Sequence, residues 1–374
     1  MKVAQALPTT MAAVLLTGHG GPEKLEYRTD VPVPTPRDDE VLIQVEAAGI
    51  NNTDINTRIG WYSKAVSGDT NSTATDGTNQ ADDDDASWSG IPLSFPRIQG
   101  GDVYGKIVAV GDDVDAGRLG EPVVVRNLMR HYVDRRPYEC WTYGSECDGG
   151  FAQFAVAPSS ESFTVQSNLS AAELGTISIA FTTAEGMLYR ANLGAERVVV
   201  TGASGGVGLA AVELAKLRGA EVVAVCSARK ADAVLAAGAD RVIDRNADIV
   251  AELGSRSVDV VVDVVGGAQV NDLLTLLRPG GRYATAGAIA GPLVEIDLRT
   301  VYLKDLSLFG CTFQEDAVIE NVVRYLNEGK LKPLVSKTYP LSEIHQAQED
   351  FIAKKYPGKL VLIPPHVEVA SAEA

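Results

Sequence analysis

Cysteine and histidine are both scarce in this chain, with four of each among 374 residues. Cys140, Cys147, Cys226 and Cys311 are too few and too irregularly spaced for a disulfide framework, which fits a reducing, cytoplasmic setting. No apolar run approaches the roughly 18 to 20 residues of a membrane-spanning helix. The opening MKVAQALPTTMAAVLL is interrupted at Pro8, Thr9 and Thr10 and lacks a clean cleavage motif, so no secretory leader is expected. Positive charge is also short: 33 basic residues against 49 acidic ones leave a formal net charge of -16. That balance argues against nucleic-acid or anionic-membrane partners, although a local basic pocket can still take a small anion.

Hydrophobic residues make up 45% of the chain, and its length is enough for two domains with their own cores. Residues 1–165 read as short strands punctuated by turns such as GPEK and VPVPTP, with β-type runs at 12–16, 41–45, 105–111 and 121–125. Residues 63–90 are dominated by Ser, Thr, Asn, Gly and Asp, ending in the run Asp82, Asp83, Asp84, Asp85. This composition predicts a flexible surface insertion, either a lid or a solvated loop. Over residues 166–315 the texture changes. ERVVVTGASGGVGLAAVELAKLRGAEVVAVCS reads as strand, glycine turn, helix and strand, and SVDVVVDVVGG and GRYATAGAIAG add two further units. Alternating strands and helices predict an α/β, doubly wound parallel sheet. Residues 316–374 supply a helix over 317–328, the strand GKLVLIP, which returns to the β-rich part, and a frayed end, HVEVASAEA.

The loop carries Ala203-x-Gly205-x-x-Gly208, a dinucleotide fingerprint with alanine in the first glycine position. A pyrophosphate needs backbone N–H groups at a helix N-terminus, so Ala203, Ser204, Gly205, Gly206, Val207 and Gly208 are expected to line it. Gly205 leaves room for the phosphate, and Gly208 lets helix and strand pack closely. An NAD site places an acid about 20 residues further on, to bind the ribose hydroxyls. Here the sequence is Cys226-Ser227-Ala228-Arg229-Lys230. Ser227, Arg229 and Lys230 suit a 2′-phosphate, which predicts NADPH; otherwise the two cations begin a solvated helix.

With GINNTDINTRIGWY, GGDVYGKIVAVG, TGASGGVG, LAAGADRVIDR, LRPGGRYATAG and GKLVLIP in place, the chain resembles the medium-chain dehydrogenase/reductase superfamily, in its zinc-free quinone oxidoreductase branch. The resemblance runs from Met11 to Pro364 apart from residues 63–90. It implies a Rossmann domain and a β-rich GroES-like catalytic domain, with the cleft where they meet. It also implies a dimer or tetramer acting on a small-molecule substrate. Zinc-dependent relatives carry Cys, His, Glu and Cys where this chain has Asn51, Gly101, Asp102 and Ile179. Cys140 and Cys147 alone do not fit a structural zinc pattern, so no metal is expected.

The resemblance places Asn51 and Tyr62 in the active site. Tyr62 matches a proton-donating tyrosine of enoyl-thioester reductases; alternatively, it only walls the pocket. Asn51 is a donor to the substrate carbonyl, an organiser of the ribose, or a residue that satisfies local backbone. Asp54 and Arg58 suit an ion pair or a turn cap, and Asn56 stands where a quinone oxidoreductase often has Tyr. Thr182 matches a threonine facing the nicotinamide, with a helix N-cap as the other reading. Gly266 and Gly287 lie at carboxyl ends of strands, where open sheets bind ligands. Asp263 reads as structural, and Lys355 and Lys359 as solvated lysines, with a return toward the cofactor as the other reading.

Without a Lewis acid, oxidising a plain alcohol is hard, whereas hydride addition to a conjugated carbonyl needs only donors and a dry pocket. The expected activity is therefore NADPH-dependent reduction of a quinone or an activated alkene. An enoyl-thioester reductase and a non-catalytic NADPH-binding protein are the alternatives.

Overall fold

The computed structural model describes residues 1–3, 7–74, 77 and 81–366. The expected frayed end therefore lies, from residue 367 onward, outside the described residues. The chain divides into two compact units. The first comprises Met1–Val66, Thr73–Ile179 and Val323–Ala374, and the second Ser67–Ser72 and Ala180–Val322.

The second unit is built on a six-stranded sheet. Its strands lie in the order Arg241–Asp244, Glu221–Cys226, Arg197–Val200, Val258–Asp263, Leu277–Thr285, Ser307–Gly310. Every pairing in it is parallel. The valine runs 198–200 and 260–262 are fully buried, as strands covered on both faces require. Starting from Arg197–Val200, the chain adds two strands on one side and then returns to add three on the other. The order reverses between Arg197–Val200 and Val258–Asp263, and the carboxyl ends of such a pair are where open α/β sheets take ligands. This is a Rossmann-type sheet.

In the first unit, strand Glu40–Gly49 is the organising element. It pairs antiparallel with Tyr104–Val110, Phe154–Pro158 and Lys359–Ile363. The last of these brings the end of the chain into the N-terminal sheet and also pairs with Val335–Pro340. Val41, Ile43, Ile107, Phe154, Leu360 and Leu362 meet in one buried cluster. Directly after Glu40–Gly49 comes the helix Asn52–Ile59, which positions most of the site.

Segment 63–90 departs from the solvated loop that its composition predicts. Ser63, Val66, Ala74, Ala86 and Ser87 are buried, and a short helix covers Thr70–Thr73. Ala74 packs with Ile55 and Ile59 of the adjacent helix. Small residues can fill such contacts without forming a hydrophobic run, so composition alone did not reveal them. Residues 75, 76 and 78–80 of the segment lie outside the described part.

Candidate active site

Where Glu40–Gly49 gives way to Asn52–Ile59, the chain forms a buried polar cluster. Asn51 caps the helix in extended conformation, and its backbone N–H donates to Asp54 Oδ2 at 2.7 Å. The Asn51 carboxamide donates to Gly49 O at 3.1 Å and to Asp102 Oδ2 at 2.8 Å, while its oxygen accepts from Lys359 Nζ at 2.5 Å. The Lys359 ammonium also donates to Asp102 Oδ2 at 2.7 Å and to Ile50 O at 3.0 Å. Asp102 Oδ1 accepts the Ile179 N–H at 2.6 Å. Gly49 has to be glycine, because a Cβ there would stand 2.7 Å from Gly175 O and 2.8 Å from Asp102 Oδ2.

These contacts correct two expectations. Lys359 is not a solvated lysine: it is 4% exposed and all three of its ammonium hydrogens have oxygen partners. Asn51 leaves no amide hydrogen for a substrate carbonyl, since both are committed inside the unit; the arrangement supports its reading as a local anchor. Lys355, in contrast, is exposed and paired with Asp350.

Asp54 and Arg58 do not form an ion pair. Asp54 serves the cap, and burial raises its carboxyl to about 7, against the lowering effect of the Asn51 N–H and the Lys359 charge. The Arg58 guanidinium donates to Gln348 Oε1, Gly20 O and Ala74 O at 3.0, 2.8 and 2.7 Å. Burial lowers its pKa to about 10.

The donor set does not fit zinc. Asn51 and Asp102 are held by an ammonium rather than left open to a cation. At Gly101 a Cβ would lie 2.6 Å from Ile179 Cδ1 and 3.0 Å from Tyr143 O, so a histidine would crowd both. Among the described residues, no group of three or more His, Cys, Asp and Glu could hold a metal ion.

Tyr62 lies just beyond the same helix and is half-buried. Its ring meets Trp61 and Trp88 edge-on, at centroid distances of 5.9 and 4.8 Å. Burial raises its pKa, opposed by hydrogen bonds with the Thr53 and Asn56 side chains, so the phenol stays protonated at neutral pH. Asn56 is itself buried, and its Oδ1 has no hydrogen-bond partner among the described residues.

The second unit supplies the glycine turn. Gly202 takes φ 58°, while Ala203 is fully buried and its N–H donates to Val225 O at 3.1 Å. The tight-turn glycine is therefore Gly202, one position before the alanine that the fingerprint reading put there. Gly205 caps the helix Gly206–Leu217 and is exposed; a Cβ there would meet only Gly202 O, at 3.4 Å. At Gly208 a Cβ would fall 2.3 Å from Gly202 O, which makes glycine obligatory. Ser204, Gly206 and Val207 complete a half-exposed helix start that suits an anionic diphosphate.

Beyond strand Glu221–Cys226, Ser227 precedes a 3₁₀ turn Ala228–Lys230. Arg229 is exposed. Lys230 is buried, which corrects the view of it as the start of a solvated helix. Its pKa is lowered by burial first, and then by the Arg229 and Arg245 charges. The nearby carboxylate, Asp244, accepts the Ala228 and Asn246 N–H groups at 2.8 and 2.9 Å.

Thr182 lies inside the helix Ile177–Arg190, so it is not an N-cap. Its buried hydroxyl accepts from Gln314 Nε2 at 3.0 Å. Gly266 takes φ 65°, where its Cβ would stand 3.1 Å from Ala288, and a Cβ on Gly287 would stand 3.1 Å from Val264 O. Asp263 joins these turns as a structural acid. It accepts from the Thr201 and Tyr283 hydroxyls and, at 2.9 Å, from the Val265 N–H.

A chain that carries both a Rossmann-type sheet with a glycine turn at its switch point and a β-rich unit with a polar cluster has the make-up of a dinucleotide-binding oxidoreductase. Residues 37–167 match the family described as "Alcohol dehydrogenase GroES-like domain", and residues 206–328 the one described as "Zinc-binding dehydrogenase". The quinone oxidoreductase of Lama guanicoe is 30% identical over 374 residues, covering 94% of this chain and 97% of that one. The acryloyl-coenzyme A reductase of Metallosphaera sedula is 29% identical over 368 residues, covering 94% and 99%. A solved Sinorhizobium meliloti structure, provisionally described as an alcohol dehydrogenase, matches with a TM-score of 0.85 at 46% identity, covering 96% and 98%. The chain belongs to the medium-chain dehydrogenase/reductase superfamily, in its zinc-independent, quinone-oxidoreductase-like branch. Among the described residues, no helix is long and apolar enough to cross a membrane.

Proposed function

We propose that this chain uses NADPH to reduce a quinone or an enone-type alkene, with Tyr62 as proton donor and no metal. The observation that carries this reading is the Lys359 ammonium, bonded to Asp102 and Asn51 at 2.7 and 2.5 Å. It fills the cluster with a fixed protein cation, which cannot open a coordination position to an alkoxide as a metal does. Hydride transfer to a conjugated carbonyl has no such need.

The residues fit the coenzyme. The turn at Gly202, Ala203, Ser204 and Gly205 and the helix start at Gly206 and Val207 would hold the diphosphate. Arg229, Lys230 and Ser227 would hold the 2′-phosphate, since the carboxylate of Asp244 already serves two backbone N–H groups. Thr182, Gly266 and Gly287 would border the nicotinamide. When bound, the reduced coenzyme supplies a hydride. Tyr62, kept protonated by its burial, delivers the matching proton to the reduced acceptor and regains one from water.

The acryloyl-coenzyme A reductase relative favours a second acceptor class, enoyl thioesters. Following NADPH loss with naphthoquinone, a short enone and an enoyl thioester separates these acceptors. Turnover of a plain alcohol with NADP⁺ in preference to all three refutes the proposal.

We also infer a homo-oligomer in a reducing, cytoplasmic setting. Ser307–Gly310 is an open sheet edge, and the nearby Leu293, Leu298, Tyr302 and Leu303 are 62–76% exposed. Such an edge invites a second strand. All four cysteines are free, in keeping with that compartment.

A further inference from the structure

We propose that Trp88 is a specificity-determining wall of the Tyr62 site, selecting flat conjugated rings over short aliphatic acceptors. This rests on the reading of Tyr62 as a residue that faces the substrate.

Trp88 comes from the polar segment 63–90, whose composition gives no reason for an indole. The backbone on both sides of it is fixed. Ser87 is fully buried, its hydroxyl accepts the Ile91 N–H at 3.0 Å, and it lies 3.2 Å from the Ser89 hydroxyl. Ser89 donates both its N–H and its hydroxyl to Glu146 Oε1, at 2.8 Å each. The other Glu146 oxygen accepts the Thr142 N–H at 2.7 Å. The indole is thus set by a clamped strap and not by a free loop.

Its ring meets Tyr62 at 4.8 Å with an interplanar angle of 72°, and Trp61 meets the same ring at 79°. Two indoles therefore fix the phenol ring, whose hydroxyl is held by Thr53 and Asn56. Trp88 is only half-buried, so part of its surface is open to a ligand beside the proton donor. A planar ring can stack on or against that surface, whereas a short aliphatic enone gains little from it.

The test uses the whole protein with NADPH, naphthoquinone and methyl vinyl ketone. Trp88→Ala lowers kcat/KM for the quinone about tenfold more than for the enone, and Trp88→Phe restores most of that difference. Equal losses with both acceptors, or an unchanged quinone rate, overturn the proposal. Should the alanine variant fail to fold, Trp88→Phe against Trp88→Leu gives the same comparison of aromatic with aliphatic walls. Tyr62→Phe is measured alongside. If it leaves turnover unchanged while Trp88→Ala still discriminates between acceptors, the proton-donor reading fails and the wall stands.

Discussion

Lys359 Nζ sits 2.7 Å from Asp102 Oδ2, joining a residue in the last strand to one 257 positions earlier. Both side chains are buried, at 5% and 0% exposure. Removing one partner of such a pair leaves an uncompensated charge, which typically costs about 3–5 kcal/mol. Lys359→Met is therefore expected to lower stability by about that amount, read as a fall in the denaturant midpoint. Adding Asp102→Asn should recover part of the loss. A single variant as stable as the parent contradicts the buried-pair assignment.

Asp54 predicts a dependence on pH. Its folded pKa of about 7 stands above the unfolded value of 3.8. Between these values the folded state holds a proton that the unfolded state has released, so this contribution to stability falls as pH rises from about 4 to about 7. The shift of about three units corresponds to at most about 4 kcal/mol. Asp54→Asn removes the titration, so the variant should gain on the parent between pH 5 and pH 8 in matched denaturation curves. Parallel curves across that range contradict the assignment.

Tyr62→Phe keeps the ring between the two indoles and removes only the hydroxyl. It should lower kcat for quinone or enone reduction at least about tenfold. NADPH affinity, measured by binding, should be unchanged. Full turnover in the variant removes Tyr62 from the chemistry.

Arg229→Ala should raise KM for NADPH by about tenfold or more and spare NADH, because only the phosphorylated coenzyme gains charge-assisted hydrogen bonds there. Equal effects on both coenzymes contradict the phosphate role.

The strands of the parallel sheet were legible because buried strands must be apolar, and Val198, Val199 and Val200 and their counterparts are. The glycine turn was legible because few sequences other than a glycine turn open a helix in that way. Its first glycine was misplaced, since the positive φ of Gly202 belongs to the backbone and the letters permit either register. Lys359 could not be read as buried. GKLVLIP carries no sign of a partner, and Asp102 lies in a distant part of the sequence. The anchors of segment 63–90 were hidden for a related reason: Ala74, Ala86 and Ser87 are small residues that look alike whether packed or solvated. The commitment of the Asn51 amide depends on both distant partners and was equally out of reach.

Reduction by this chain is expected to need a dinucleotide and no metal, because the Lys359 ammonium already fills the polar cluster at Asn51 and Asp102. The direct measurement is NADPH-dependent naphthoquinone reduction by protein dialysed against a strong chelator, with metal content determined on the same sample. Full turnover with no stoichiometric zinc is the expected result. Activity that disappears with the chelator and returns on adding zinc contradicts it.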